Sequence, residues 1–303
     1  MNRSVLVAMS GGVDSSVAAF LLRDAGYEVS GVTMRLTGAV TSGDAAQVAA
    51  LLGIPHEIVD LRGPFHEKVV SYFFEEYERG RTPNPCVRCN KVIKFGFLLR
   101  LAKERGIPHI ATGHYARVER DPSARRYRLL RGSDRAKDQS YFLYTLNQNQ
   151  LRRVLMPLSG FTKTEVREIA RRIGLPVSEK AEPREICFIP GNDYRCPPLR
   201  RPDRRGDGRH NRCPERGSLP QPPHRPARQL DRRAGPPPPA GSRTDQSFRV
   251  TAKIRSLLTP LGGGAIELRF DEPQWAITPG QSVVFYQGDT VLGGGIITRG
   301  WRE

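Results

Sequence analysis

Residues Ser4 to Ser16 read SVLVAMSGGVDSS: an apolar run, a Ser-Gly-Gly-Val-Asp-Ser loop, and then the start of a helical pattern that continues to Ala25. Strand, glycine loop and helix in that order commit the chain to an α/β beginning and to a loop that suits phosphate. Gly11 and Gly12 permit positive φ and close backbone approach, and the helix that follows offers free N–H groups at the positive end of its dipole. Ser10, Ser15 and Ser16 add hydroxyl donors, and Asp14 is placed to hold a magnesium ion against the same phosphates. No Gly-Lys-Ser/Thr follows the glycines, so the loop is not a Walker A motif. A serine-rich strand-to-helix turn without ligand is the plain alternative.

The next 150 residues keep alternating. Val5–Met9, Glu28–Leu36, His56–Leu61 and His109–Gly113 are short apolar runs suited to buried parallel strands. Helical patterns span Val13–Ala25, Asp44–Leu52, Phe65–Arg79 and Lys91–Arg105, and another runs from Lys163 to Ile173, closed by Gly174 and Pro176. The order predicts βαβ units in an open, doubly wound, mostly parallel sheet with ligands at the carboxyl ends of its strands. Near the C-terminus, Phe248–Ile254, Ala265–Phe270, Ser282–Tyr286 and Thr290–Thr298 read as short strands punctuated by Gly and Pro, a small all-β barrel.

Between these parts, Arg195–Ser247 has the composition of neither. Thirteen arginines against five acidic residues give it +8 of the chain's +17, and it holds twelve prolines, no aromatic residue and no Val, Ile or Met. Such a stretch cannot build a core. It reads either as a natural basic linker that attracts RNA or as the product of a reading frame that shifts near Arg195 and returns near Ser247. The expected organisation is therefore a catalytic domain over 1–194, this segment over 195–247 and a β domain over 248–303.

Cysteine usage adds chemistry. The five cysteines come without an N-terminal run of signal-peptide layout and without any run near the roughly 18 to 20 apolar residues of a membrane span, which predicts a cytoplasmic protein with reduced thiols. Arg81–Asn90 reads RTPNPCVRCN, two prolines in an extended loop and two cysteines before a helix; helix N–H groups with Arg81, Arg88, Lys91 and Lys94 should favour the thiolate. A zinc knuckle would need a second closely spaced pair, which is missing. Cys187 sits in the apolar run EICFI, where the bland reading is a buried small hydrophobe.

SGGVDSS, RTPNPCVRCN, KFG, ATGHYARV, KDQSYFLY and ICFI follow one another in an order that resembles the tRNA-specific 2-thiouridylases of the ATP-pyrophosphatase superfamily. FRVTAKIR and TPGQSVVFY through LGGGII resemble that family's C-terminal barrel. The resemblance implies that Ala8, Met9, Ser10, Gly11, Gly12, Val13, Asp14 and Ser15 bind ATP phosphates, with Mg2+ on Asp14, and that Met34 and Gly113 contact the adenosine. It implies Cys89 as the nucleophile and Cys187 as the persulfide carrier. Asn84, Pro85 and Cys86 would meet the target base, and His114, Lys137, Asp138, Gln139, Arg255 and Gln281 would contact tRNA. A sulfur-donor protein carrying persulfide would be the second partner. The family normally has a central β domain where the Arg/Pro segment stands, which favours the frame-shift reading and predicts turnover that is very low or absent.

Three alternatives stay open. Cys86, Cys89 and Cys187 would suffice for an iron–sulfur cluster with one open iron, as in related 2-thiocytidine enzymes. Amide ligation fits the loop but leaves the cysteines without purpose. A product lacking its central domain would bind ATP and tRNA and catalyse nothing.

Overall fold

β1 (Ser4–Ala8) is flanked by β2 (Glu28–Arg35) on one side and β4 (His109–Ala111) on the other. β3 (His56–Asp60) adds beyond β2 and the two-residue β7 (Val154–Leu155) beyond β4, giving a five-stranded sheet of order β3-β2-β1-β4-β7 in which every pairing is parallel. The computed structural model describes residues 3–38, 42–180, 186–189, 248–251, 255–262, 265–270, 274 and 277–300. The Arg/Pro segment lies outside them. Among the described residues no helix is long and apolar enough to cross a membrane.

Alternation along β1 explains how both sheet faces are covered. Val5 and Val7 join a core with α1 (Val13–Asp24), α2 (Ser42–Leu51) and α8 (Lys163–Arg172), whereas Leu6 joins one with α6 (Phe95–Glu104) and α7 (Gln148–Leu151). The chain runs outward from β1 to β3 and then returns to β4 on the opposite side of β1. That reversal makes the crevice between the carboxyl ends of β1 and β4 the place for a ligand.

Two helices start earlier than expected. α3 (Arg62–Phe65) passes through a π-turn (His66–Val70) into α4 (Ser71–Glu78), and α5 (Pro85–Cys89) passes through another (Asn90–Lys94) into α6. Asn84 caps α5, accepting from the Val87 amide at 3.1 Å, with Pro85 at the first helical position, so RTPNPC is helix from Pro85 onward rather than extended loop.

The C-terminal strands are antiparallel, as expected, and their sheet reaches into the first domain. β10 (Ala265–Phe270), β9 (Arg255–Gly262), β8 (Phe248–Thr251), β11 (Ser282–Gln287) and β12 (Thr290–Ile296) are continued by the hairpin of β6 (Arg126–Arg131) and β5 (Ala116–Asp121). The join is reinforced by side chains. Tyr141 donates to the Ser282 carbonyl at 2.7 Å, Ser140 meets the Tyr286 hydroxyl at 3.1 Å, and Arg135 pairs with Asp289 at 2.7 Å.

Candidate active site

The phosphate loop leaves β1 through Met9, whose amide donates to Val32 at 2.8 Å and whose side chain, like that of Val13, is buried. Gly11 takes φ +71°, the left-handed turn that glycine permits. Gly12 does not: as cap of α1 it has φ −102° and ψ 163°, extended backbone that any residue adopts. Two of the three serines face inward. Ser16, fully buried, donates to the Gly12 carbonyl at 2.9 Å, and the Ser15 hydroxyl donates to the same carbonyl at 3.1 Å while receiving the Ser10 amide at 3.1 Å. Ser10 is the exposed hydroxyl, so the serine-rich motif mostly braces the loop rather than facing a ligand.

Gly113 closes the crevice from β4. A Cβ there would stand 2.7 Å from the Asp14 carbonyl carbon and from the Ser15 amide nitrogen, so only glycine lets the β4 end lie on the loop. Met34, at the end of β2, is half-buried on the same carboxyl-terminal edge. Gly113 therefore borders the loop directly, while Met34 lies on the same edge of the sheet and packs against the cluster that holds Cys89.

Asp14 has partners of its own. Lys163 Nζ donates to its two carboxylate oxygens at 2.7 and 2.8 Å and the Tyr115 hydroxyl at 2.7 Å. Among the described residues no group of three His, Cys, Asp or Glu side chains could hold a metal ion. Magnesium fits here as it often binds nucleotide sites, on one carboxylate with phosphate oxygens and water completing its shell. Three thiols converging on an iron cluster are not found.

Cys86, Cys89 and Cys187 nevertheless occupy one electrostatic neighbourhood, since Cys86 and Cys187 both act on Cys89 and Cys86 acts on Cys187. Cys89 is buried, one turn into the helix, whereas Cys86 and Cys187 are exposed free thiols. Cys187 is thus not the buried hydrophobe its apolar run suggests. Phe188 and Ile189 sink instead, Phe188 meeting Phe65 and Phe73 edge-on at 5.8 and 5.5 Å, and that anchor presents Cys187 outward.

The thiols are not acidified as the sequence suggested. Burial pushes Cys89 up to about 11, and the protein packed around Cys86 and Cys187 desolvates and raises these two as well although both reach solvent, with Lys94 pulling each the other way. Arg81 is held by Glu76 at 3.1 Å, and Arg88 lies 4.9 Å over the Tyr72 ring, so these two cations are committed elsewhere. Lys94 also acts on His114, which follows Gly113. Phe95, which follows Lys94, packs against the His114 ring at 5.8 Å between centroids, so the helix that begins at the two cysteines lies against the end of β4.

Residues 3–191 match the model of the tRNA methyl transferase HUP domain, and residues 240–297 that of the aminomethyltransferase β-barrel domain. A tRNA-specific 2-thiouridylase of Caldanaerobacter subterraneus is 43% identical over 364 residues, covering 99% of this chain and 99% of its own. One of Syntrophomonas wolfei is 45% identical over 338 residues, covering 97% and 99%. The chain belongs to the tRNA-specific 2-thiouridylase family. Both alignments are longer than the 303 residues present here, so these two thiouridylases carry stretches without counterpart in this one.

Several positions at which the 2-thiouridylase resemblance implied tRNA contact serve the fold of this member. His114 is buried, bonded to the Thr112 hydroxyl at 2.8 Å, and desolvation drops it to about 3, which holds it as a neutral imidazole. Asp138 accepts from the Gly132 and Ser140 amides at 3.2 and 3.1 Å, and Gln139 accepts from the Tyr115 amide at 3.0 Å, so both side chains are engaged within the fold. Gln281 turns back to its own loop, accepting from the Thr278 amide at 3.2 Å. Arg255 opens β9; its side chain lies outside the described residues. Asn84 and Pro85 build the helix start, with Cys86 exposed beside them.

Sequence reasoning gave no role to Lys163, Lys180 or Tyr115. Their only signal is position: Tyr115 follows the ATGH motif and Lys163 opens a helix behind the Thr162–Glu165 capping box.

Proposed function

We propose that this chain thiolates the C2 position of a tRNA uridine, the wobble base of the anticodon, by ATP-dependent adenylation followed by sulfur transfer from a persulfide. As a 2-thiouridylase family member it is a tRNA sulfurtransferase that uses ATP. The observation that carries the finer reading is the shared packing of the two thiol segments: Cys89 lies in one cluster with Phe188 and Ile189, which follow Cys187, and Met34 at the end of β2 packs against that cluster, which supports a sulfur-transfer site beside the nucleotide crevice.

The uracil C2 oxygen is a poor leaving group, so it first attacks the α-phosphorus of ATP, expelling pyrophosphate and making the oxygen part of an AMP ester. The loop amides at the start of α1 receive the charge that develops on the phosphates. Magnesium on Asp14, when bound, would supply further neutralisation of the departing pyrophosphate. The terminal sulfur of a Cys187 persulfide then bonds to C2, and AMP departs with the former C2 oxygen. Cys89, having lost its proton, attacks the Cys187 sulfur; the sulfur–sulfur bond to the base breaks, 2-thiouridine leaves, and a Cys89–Cys187 disulfide remains for an external thiol to reduce. A persulfide-carrying donor protein reloads Cys187. Exposure of Cys187 suits reloading and burial of Cys89 protects the resolving thiol. This chemistry suits the reducing cytoplasm.

Single variants should separate the half-reactions. Cys89→Ser and Cys187→Ser should still release pyrophosphate from ATP when tRNA is added yet form no 2-thiouridine, while Asp14→Ala should lose pyrophosphate release with its fold intact. Equal thiolation by either cysteine variant overturns the two-cysteine scheme. Iron after anaerobic purification, lost together in Cys86→Ser, Cys89→Ser and Cys187→Ser, would favour the cluster instead.

A further inference from the structure

A triphosphate site needs cations, and the loop supplies none. SGGVDSS has no Lys or Arg, whereas a Walker A loop carries its own lysine. Two ammonium groups nevertheless stand on the rim of this loop, brought there from a distant part of the chain. Lys163 Nζ is bound to Asp14, and Lys180 Nζ donates to the Gly11 carbonyl at 3.0 Å and is paired with Asp44 of α2.

Neither placement is casual. Lys163 is the first residue of α8, its amide donating to Asp134 at 2.9 Å behind the reciprocal Thr162–Glu165 cap, and its side chain is 12% exposed. Tyr115 contributes its hydroxyl to the same carboxylate, and its ring lies 6.0 Å from the ammonium. Lys180 is held by Arg167, which donates to the Lys180 carbonyl at 3.2 Å. One lysine thus stands at the helix end of the loop, beside Asp14, and the other at its glycine turn.

We propose that Lys163 and Lys180 are the phosphate-binding cations of this site, resting on Asp14 and Asp44 until nucleotide arrives. The inference depends on reading the loop as a nucleotide site. On binding, phosphate oxygens replace the carboxylates as partners of the two ammonium groups, and Asp14 is released to take the divalent cation that accompanies the nucleotide. The exchange couples triphosphate to metal: Asp14 becomes available as a ligand when Lys163 has been drawn away. A purely structural ion pair between α8 and the loop would show no such coupling.

Equilibrium binding to the full chain separates these cases, using ATP, inorganic pyrophosphate and adenosine, each with magnesium and with EDTA. Lys163→Met and Lys180→Met should each weaken ATP and pyrophosphate about ten- to a hundred-fold, the scale of one charge-assisted hydrogen bond, while adenosine affinity holds. Lys163→Arg should restore most of the loss. Asp14→Asn should bind metal-free ATP more tightly than the parent, because Lys163 is no longer neutralised, and should lose the gain that magnesium gives. Unchanged ATP affinity in both methionine variants overturns the proposal, as does an equal loss of adenosine, which would mark a collapsed crevice. If Lys163→Met does not fold, Lys163→Arg and Asp14→Asn in EDTA decide; weaker metal-free binding by Asp14→Asn overturns the exchange. A parent chain that binds neither ATP nor adenosine overturns the nucleotide reading itself, a result distinct from either lysine outcome.

Discussion

Gly113 rests directly on the peptide between Asp14 and Ser15, with room for a hydrogen atom and none for a methyl group. The contact ties the end of β4 to the start of α1, and so holds the two walls of the crevice at a fixed separation. Gly113→Ala must push one wall away, since the obstructing atoms are backbone. A cost of about 1–3 kcal/mol is the usual scale for such overpacking. We expect a lower thermal midpoint and, at temperatures where the variant stays folded, ATP affinity reduced at least tenfold in equilibrium binding.

Thiol reactivity gives a second expectation. With burial pushing Cys89 up to about 11, its thiolate is scarce at neutral pH, and iodoacetamide modification should climb about tenfold per pH unit without levelling below pH 10. Lys94→Met removes the cation that opposes this rise, so Cys89 should react still more slowly at each pH. Peptide mass spectrometry of the alkylated chain reads both. A plateau for Cys89 near pH 8 would show a thiolate far more accessible than its surroundings allow.

Much of this arrangement is legible in the amino-acid sequence, and what is not has physical reasons. The strand ends at Ala8, Arg35, Asp60 and Ala111 fall within two residues of the apolar runs that announce them; in β1, covered on both faces, burial demands that continuous apolar character. ARVERD and RYRLLR carry too much charge to announce the β5–β6 hairpin; Arg128 is balanced across the strands by Glu119 and Asp121, and Arg117 by Glu119 on its own strand. RTPNPC looked extended because its prolines outweighed the Asn84 cap that starts a helix there. Nothing in KDQSYFLY announces that Ser140 and Tyr141 bind the C-terminal strands, a partner more than a hundred residues away. For the same reason no local pattern announces Lys163 on Asp14.

His114 should leave a mark on acid stability. Its imidazole is held neutral to about 3 by burial, whereas in the unfolded chain it titrates near 6.5. The unfolded state therefore binds the extra proton first as the pH drops, and stability contributed by the neutral ring is present above about pH 6.5 and drains away between there and pH 3. Urea unfolding between pH 4 and 7 should show a slope that His114→Gln reduces. Equal slopes in parent and variant would place the ring in contact with water.

The Arg/Pro segment should govern how the chain meets RNA. Its net +8 favours phosphate contacts that carry no sequence information, so binding to tRNA should weaken steeply as salt rises, and removal of residues 195–247 should flatten that dependence. Fluorescence anisotropy of labelled tRNA across a salt series measures both slopes. We also expect turnover to rise when the segment is replaced by the corresponding stretch of the Caldanaerobacter relative, because positioning the target carbonyl supplies several kcal/mol of a barrier.

The most direct test of the account is nucleoside mass spectrometry on transcribed tRNA incubated with an excess of this polypeptide, ATP, magnesium and a sulfide donor, so that even slow transfer is seen in a single turnover. The account predicts 2-thiouridine at the wobble position, formed only with ATP and absent with Cys187→Ser. No 2-thiouridine under these conditions, or 2-thiouridine that forms without ATP or survives the loss of Cys187, would contradict it.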